Sequence, residues 1–312
     1  MRLLVIKPSS LGDIVHAMVI ISELRAQLPG CVIDWVVGDR FFDIVDQSRI
    51  ASRVIIYERH GHLASIFRLI SEIRRETYDY VFDMQGLARS GLMTFFSKSI
   101  NKIGRKDARE LAWLAYTKTV DYPGPVHAID VLRAFLPAVG CSGKVSGLVG
   151  ELENIHSQIF NTFLKTKIWP NDLVCIFPES QRPEKEWLFF SKIVEKLLQQ
   201  TNGTAIVLLG NKPCAGEETR SPLLFDLRGK TTLADVVFLI KHARLTIAND
   251  SGPLHISAAL GRNTLGLFTA TDPLRFGPYP LTRHTNRALS LKNTPQELDI
   301  VTKTALEMLA GA

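Results

Sequence analysis

The sequence predicts an α/β protein of two halves, each a parallel sheet with helices on both faces. Three observations carry this prediction. Short apolar runs recur along the chain and alternate with amphipathic stretches of helical period, the pattern of strand–helix–strand units. The alternation is interrupted over 120–150, where Asp121-Tyr122-Pro123-Gly124-Pro125 is followed by Gly140, Gly143, Gly147 and Gly150, and then restarts. With 312 residues the chain is about twice the usual domain size, so each half can bury its own core.

In chain order, the apolar run 3–6 is a strand, Lys7-Pro8-Ser9-Ser10-Leu11-Gly12 a loop, and Ile14, Met18, Ile21, Leu24 and Leu28 the stripe of a helix opening at Asp13 and stopped by Pro29-Gly30. Strands follow at 31–37 and 54–56, a helix on Leu63, Ile66, Phe67, Ile70 and Ile73, and a strand at 80–82. Beyond the turn-rich segment come strand 173–177, helix 187–199, strand 205–209 and a helix on Leu233, Val236, Val237 and Ile240. Strand 245–248, a helix after Pro253 and strand 264–268 complete the second half. Near the end, Thr294-Pro295-Gln296-Glu297 places an N-cap threonine, a proline at the first helical position and Glu at the third. The helix it opens carries Leu298, Val301, Ala305 and Leu309, which need a surface to cover.

Composition narrows the function. Hydrophobic residues at 46%, charged at 22% and aromatic at 8% exclude disorder, collagen and coiled coil. The net charge of +6 favours an anionic ligand or a membrane surface. Without a basic patch interleaved with stacking aromatics, no nucleic-acid partner is expected. Cys31, Cys141, Cys175 and Cys214 are far apart and show no metal-ligand spacing, so no metal site is expected. No signal pattern and no run of 18 apolar residues occurs, which points to a cytoplasmic chain with reduced thiols.

Ligands of open parallel sheets lie beyond the carboxyl ends of the strands, so the loops that follow strands are the ones to search. In KPSSLGDIVHA, residues 7–17, Gly12 permits a tight turn and Asp13 brings a carboxylate to the strand's end, where it serves either as a general base or as a helix cap. His16 reads as a packed or rim residue. The loop lacks the endings of a P-loop or a dinucleotide turn. In FPESQRPEKEW, residues 177–187, Ser180 and Gln181 can donate to phosphate oxygens and Lys185 can meet negative charge, although a lysine flanked by two glutamates is usually a solvated one. The turn Leu208-Leu209-Gly210-Asn211 offers nothing beyond a turn. TIANDSGPLHISAALG, residues 246–261, is the most informative: backbone N–H groups at the start of its helix form an anion site, and Gly252 lets a diphosphate come close. Capping accounts for Asp250, Ser251 and Pro253, but not for His255.

These segments together resemble glycosyltransferase family 9, the ADP-heptose:lipopolysaccharide heptosyltransferases, over essentially the whole chain. KPSSLGDIVHA is similar to the family's N-terminal K-x-S-S-x-G-D motif, DLRGKTTLADVVFLI to its L-x-G-x-T-x-L segment, NDSGPLHISAALG to its [ND]-[ST]-G-x-x-H-x-x-A-A helix start, and Gly266 to Pro273 to the strand and [ST]-D-P turn that follow. FDMQGLARSG, ARELAWLAY and VHAIDVLRAF look closest to the heptosyltransferase I branch. Pro178, Glu179 and Gln181 depart from the small or hydroxylated residues of the pattern.

The resemblance implies a glycosyltransferase B fold, two Rossmann-like domains facing across a cleft: an acceptor domain over 1–155, a nucleotide-sugar domain over 156–290, and a helix within 291–312 packing back on the first domain. It implies inverting transfer of heptose from ADP-L-glycero-β-D-manno-heptose to the Kdo inner core of a lipid A precursor. The alternatives are another acceptor, either a second core heptose or a protein, and a sugar-nucleotide 2-epimerase of the same fold. Asp13 would be the base, with His16 next in line. Ser180, Gln181, Lys185, Asp250, Ser251, Gly252, Pro253 and His255 would hold the donor. Ser9, Ser10 and Gly12 of the first loop, with Arg89, Arg105 and Arg109, would meet the anionic acceptor. No cofactor or divalent metal is obligatory in this scheme. A monomer in peripheral contact with the cytoplasmic face of the inner membrane is expected.

Overall fold

The computed structural model describes residues 1–124, 126–157, 159, 173–201, 203–211 and 221–311. Cys214 lies outside them. The chain divides into two compact units, Met1–Asn154 and Ile155–Ala312.

The first unit contains β1 (Arg2–Ile6), α1 (Leu11–Gln27), β2 (Val32–Gly38), α2 (Phe42–Ser48), β3 (Arg53–Tyr57), α3 (Leu63–Ile73), β4 (Tyr80–Asp83), α4 (Ala88–Phe96), β5 (Lys102–Arg105), β6 (Lys118–Val120) and α5 (Ala128–Arg133). Its six strands are parallel in the order β3-β2-β1-β4-β5-β6. Leu4, Ile6, Val36 and Val81 from the sheet pack with Leu69 and Ile73 of α3, and all are buried. α1 is apolar nearly all round, from Ile14 to Ile21, and is a core helix rather than an amphipathic surface one. It starts at Leu11 with Ser10 as N-cap, so Asp13 is its third residue and not the opening one.

The second unit repeats the scheme. It contains β7 (Leu173–Phe177), α6 (Phe190–Gln200), β8 (Ala205–Leu208), β9 (Leu224–Asp226), α7 (Leu233–His242), β10 (Leu245–Asn249), α8 (Gly252–Ala259), β11 (Thr264–Phe268), α9 (Pro273–Phe276), β12 (Asn286–Ser290) and α10 (Glu297–Ala310). The strand order is β12-β11-β10-β7-β8-β9, again all parallel. Read from its far edge, this is the order of the first sheet. In both sheets the direction of strand progression therefore reverses between the first and fourth strands, β1/β4 and β7/β10. A crevice opens beyond the strand ends at such a switch point.

Two expectations change here. α6 begins at Phe190, because Trp187 is buried in the core and its backbone N–H donates to Asn249 Oδ1 at 3.0 Å instead of joining a helix. The last helix begins at Glu297, whose carboxylate accepts from Thr294 N at 3.0 Å. Val301, Ala305, Met308 and Leu309 are core residues of the second unit, packed with Ile193, Val194 and Leu197 of α6. Arg244 Nη2 also bonds Leu309 O at 2.6 Å. Burying residues of this size contributes about 1.5–3 kcal/mol per large side chain, which is why the helix belongs with its own sheet.

Candidate active site

The first half-site is the loop between β1 and α1. β2 ends in Gly38, where a Cβ would stand 2.7 Å from Pro8 O, and Gly38 N donates to that oxygen at 3.0 Å. Glycine is required for this close approach. Ser10 then donates from both N (3.0 Å) and Oγ (2.7 Å) to Asp13 Oδ2. The other oxygen, Oδ1, stands 3.7 Å from Lys7 Nζ. Lys7 is only 2% exposed while the Asp13 side chain is 45% exposed, so the cation lies inside and the carboxylate can be reached from solvent.

Charge explains the protonation of this pair. Burial works against the Asp13 anion, but Lys7, His16 and the Ser10 bonds more than offset it and hold the carboxyl well below the usual range. Burial lowers the Lys7 pKa, opposed by Asp13 and Asp83. Asp83, at the end of β4, is itself pushed up by burial, against N–H donation from Gly86 and the Tyr116 hydroxyl. Its Oδ1 accepts from Gln85 N and Gly86 N, both at 2.9 Å, and Tyr116 Oη donates to Oδ2 at 2.8 Å. Gln85 Oε1 in turn accepts from Ser9 N at 3.3 Å, and Arg89 Nη2 donates to Ser9 Oγ at 3.4 Å. The loops after β1 and β4 are thus tied together at the switch point.

Of the residues expected at the acceptor, Ser9, Ser10 and Arg89 meet in this network, and Gly12 is buried in the first turn of α1. Arg105 is engaged by Asp107, with Nε at 2.8 Å and Nη2 at 2.6 Å, so its charge is already paired. Arg109 is exposed, and its backbone N–H donates to Gly86 O at 2.9 Å. His16 is buried with its ring edge-on to His127, 5.7 Å between centroids, in keeping with a packed residue. Lys7, Asp83, Gln85 and Tyr116 were not singled out as site residues. All four stand inside the quoted segments, Lys7 in KPSSLGDIVHA, Asp83 and Gln85 in FDMQGLARSG and Tyr116 in ARELAWLAY, and a lysine ending an apolar strand was the available signal.

The second half-site lies beyond β7 and β10. Asp250 Oδ2 accepts from Lys185 Nζ at 2.5 Å and from Thr271 Oγ1 at 2.7 Å, and its Oδ1 is 3.7 Å from His255 Nε2. Burial disfavours the Asp250 anion, yet bonds from His255 and Lys185, with Thr271, keep it far below the ordinary value. Ser180 N donates to Glu186 Oε1 at 2.9 Å, and Ser180 Oγ reaches Asp250 O at 3.5 Å. Asn249 Nδ2 donates to Pro178 O at 2.7 Å, stapling the two loops. Lys185 is therefore no solvated charge between glutamates: it is 19% exposed and bonded across 65 residues to Asp250. Gln181 is exposed, and Glu179 accepts from Asn211 N at 2.9 Å, a structural role.

At the start of α8, Gly252 and Pro253 form the first turn with Ser251 as N-cap, and the cap is not closed by its side chain. Ser251 Oγ is buried with no hydrogen-bond partner. Pro253 has no N–H and Leu254 N donates to Ser251 O at 3.2 Å, so the helix start presents Gly252 N, the unpartnered Ser251 hydroxyl and the nearby Lys185 ammonium, a set suited to an anion.

Among the described residues, no group of three or more His, Cys, Asp or Glu is arranged to hold a metal ion. None of their helices is long and apolar enough to cross a membrane.

Two parallel sheets of identical strand order, each with a polar site at its own switch point, have the architecture of the glycosyltransferase B fold. The chain belongs to glycosyltransferase family 9 (heptosyltransferase), whose family pattern it matches over residues 66–305. It is 25% identical over 292 residues to the lipopolysaccharide core heptosyltransferase OpsX of Haemophilus influenzae, covering 89% of this chain and 81% of that one. It is 27% identical over 300 residues to lipopolysaccharide heptosyltransferase 1 of Escherichia coli K12, covering 89% and 91%. The solved E. coli heptosyltransferase WaaC with ADP superimposes with a TM-score of 0.81 at 21% identity, covering 99% of this chain and all of that one.

Ionisation of Asp13 sets a pH expectation. A carboxyl depressed below its unfolded value of about 3.9 contributes stability that is present above that pH and lost as pH falls through the lower, folded value. If Asp13 is the base, kcat/KM should show no acid limb from it between about pH 5 and 8. A pH–rate profile with an acid limb inside that window would move the base to another group.

Proposed function

We propose that the chain transfers heptose from ADP-L-glycero-β-D-manno-heptose to the Kdo inner core of a lipopolysaccharide precursor, in one inverting displacement. The acceptor hydroxyl oxygen attacks the anomeric carbon as the bond from that carbon to the ADP oxygen breaks, and ADP leaves with the bonding electrons. The hydroxyl proton passes to Asp13. Because Asp13 is a weak base, it takes the proton late, when bond formation has made the hydroxyl acidic. Its value lies in position and constant ionisation.

The observation that carries the donor assignment is the unpartnered Ser251 Oγ at the N-terminus of α8. Gly252 N and the Lys185 ammonium add charge stabilisation where the diphosphate departs. Asp250 and His255 then contact the donor sugar or phosphate. ADP in the solved E. coli enzyme and the names of the curated relatives support an ADP-linked donor and a lipopolysaccharide core acceptor. Arg89, beside Ser9, offers a cation to the acceptor's phosphate or carboxylate.

Mass spectrometry of the product tests the acceptor. With ADP-heptose, the expected gain of one heptose appears on Kdo2-lipid A and not on a core already carrying heptose. A gain on the second acceptor alone would assign a later step, and altered nucleotide sugar released without acceptor would indicate epimerisation.

A further inference from the structure

Residues 88–118 hold seven Lys and Arg against Asp107 and Glu110, a balance of +5 in a chain whose total is +6. Besides Ile100 (85%), which precedes β5, the same stretch exposes five large apolar side chains in and around α4 and the turn Ala112–Ala115: Leu92 (46%), Phe95 (62%), Leu111 (65%), Trp113 (53%) and Leu114 (64%). Two elements bring them together. α4 lies against the 3₁₀ turn Ala112–Ala115 so closely that a Cβ on Gly91 would be 2.8 Å from Ala112 Cα. Met93 and Ala112, each 3% exposed, face inward, and their neighbours Leu92, Trp113 and Leu114 face out. Lys102 Nζ bonds Phe95 O at 2.7 Å and lies 5.8 Å from the Phe95 ring, which puts a cation at the edge of the apolar area. Glu110 and Leu111 hold φ of 55° and 61°, a left-handed pair that non-glycine residues rarely adopt and that leaves Leu111 in solvent.

We propose that α4 and the turn Ala112–Ala115 form a docking face for an anionic phospholipid bilayer. Trp113, Phe95 and the leucines enter at headgroup level while the lysines meet lipid phosphates, the division of labour of interfacial segments. The charge decides against the other occupants. A second copy of this chain would bring +5 against +5. Nucleic acid would need stacking faces where three of the five exposed side chains are leucine. The face deepens the reading of a lipid-linked acceptor without depending on it, since vesicle binding requires neither donor nor acceptor.

Flotation of the full chain with vesicles tests this. The wild type should bind vesicles rich in phosphatidylglycerol, be released by salt, and ignore pure phosphatidylcholine. Phe95→Ser and Trp113→Ser should each lower partitioning by about tenfold, the order expected for losing one buried apolar side chain. Lys106 is already paired with Asp121 at 2.9 Å, so the combined Lys98→Gln, Lys102→Gln and Lys118→Gln variant should weaken binding and flatten its salt dependence, whereas Lys303→Gln on α10 should not. Leu114→Ser gives an independent reading, and circular dichroism confirms that each variant is folded. Wild-type partitioning in both apolar variants would overturn the proposal, because binding that depends on the lysines alone fits a polar acidic partner. A dimer dissolved by Trp113→Ser in sedimentation would also overturn it. Vesicle binding by Asp13→Asn separates the proposals: it should match the wild type whether or not Asp13 proves to be the base.

Discussion

Asp13→Asn should lower heptose transfer by about 10² to 10⁴ while ADP-heptose still binds, the range for loss of a positioned base. The substitution is nearly isosteric, and an amide oxygen can still accept from Ser10 N and Oγ, which now reach Asp13 Oδ2 at 3.0 and 2.7 Å. What asparagine cannot supply is countercharge. Lys7, 2% exposed and 3.7 Å from Oδ1, loses its nearest anion, so the variant should be less stable than the wild type by roughly 1–3 kcal/mol. That differs from the near-neutral effect expected of a simple cap, because the cap is Ser10 and Asp13 is the charged member of a pair. Ser10→Ala is the control: it removes the cap hydroxyl, costing about 1 kcal/mol, and leaves the carboxylate in place. Stopped-time transfer assays and calorimetric donor binding on the two variants distinguish base from cap. If Asp13→Asn is folded, binds donor and transfers at the wild-type rate, Asp13 is not the base.

The same residues show what could be read from the sequence. Strand–loop–helix order is written in apolar spacing, and the helix on Leu63 to Ile73 and the strands Leu173–Phe177 and Thr264–Phe268 fall where that spacing puts them. β5, β6, β9 and β12 were not visible. They have three to five residues each, and β6, β9 and β12 bury at most one, so they carry no apolar run. Loop positions at the strand ends followed from topology, whereas pairings across the fold did not. Nothing local links Lys185 to Asp250 or Tyr116 to Asp83, because those bonds come from parallel strands bringing distant loops to one edge. The C-terminal helix shows the converse. Its apolar stripe was evident, but which sheet it would cover was not, since a stripe specifies a need for burial and not a partner. The docking face was missed for a similar reason: its leucines and aromatics come from two elements and meet only when Gly91 packs on Ala112.

Lys185→Ala should weaken ADP-heptose binding by roughly 10- to 100-fold, because a charge-assisted contact to the diphosphate carries about 1.5–3 kcal/mol. An ammonium has three donors, and one on Asp250 Oδ2 at 2.5 Å leaves two for phosphate oxygens. The pair also has a structural part, so the variant will not be neutral for folding. Removing the lysine leaves Asp250, 7% exposed, with Thr271 and His255 as its remaining contacts, at a cost of roughly 1–3 kcal/mol. Asp250→Asn separates the two effects. It keeps the lysine charge, retains a side-chain oxygen for Thr271, and removes most of the ion pair. If Lys185 serves the diphosphate, Asp250→Asn should bind ADP far better than Lys185→Ala, though both lose stability. If Lys185 serves only to neutralise Asp250, the two variants should lose stability and donor affinity in parallel. Calorimetric titration with ADP at fixed salt, alongside thermal unfolding of both proteins, reads the difference: wild-type affinity in folded Lys185→Ala would remove Lys185 from the donor site.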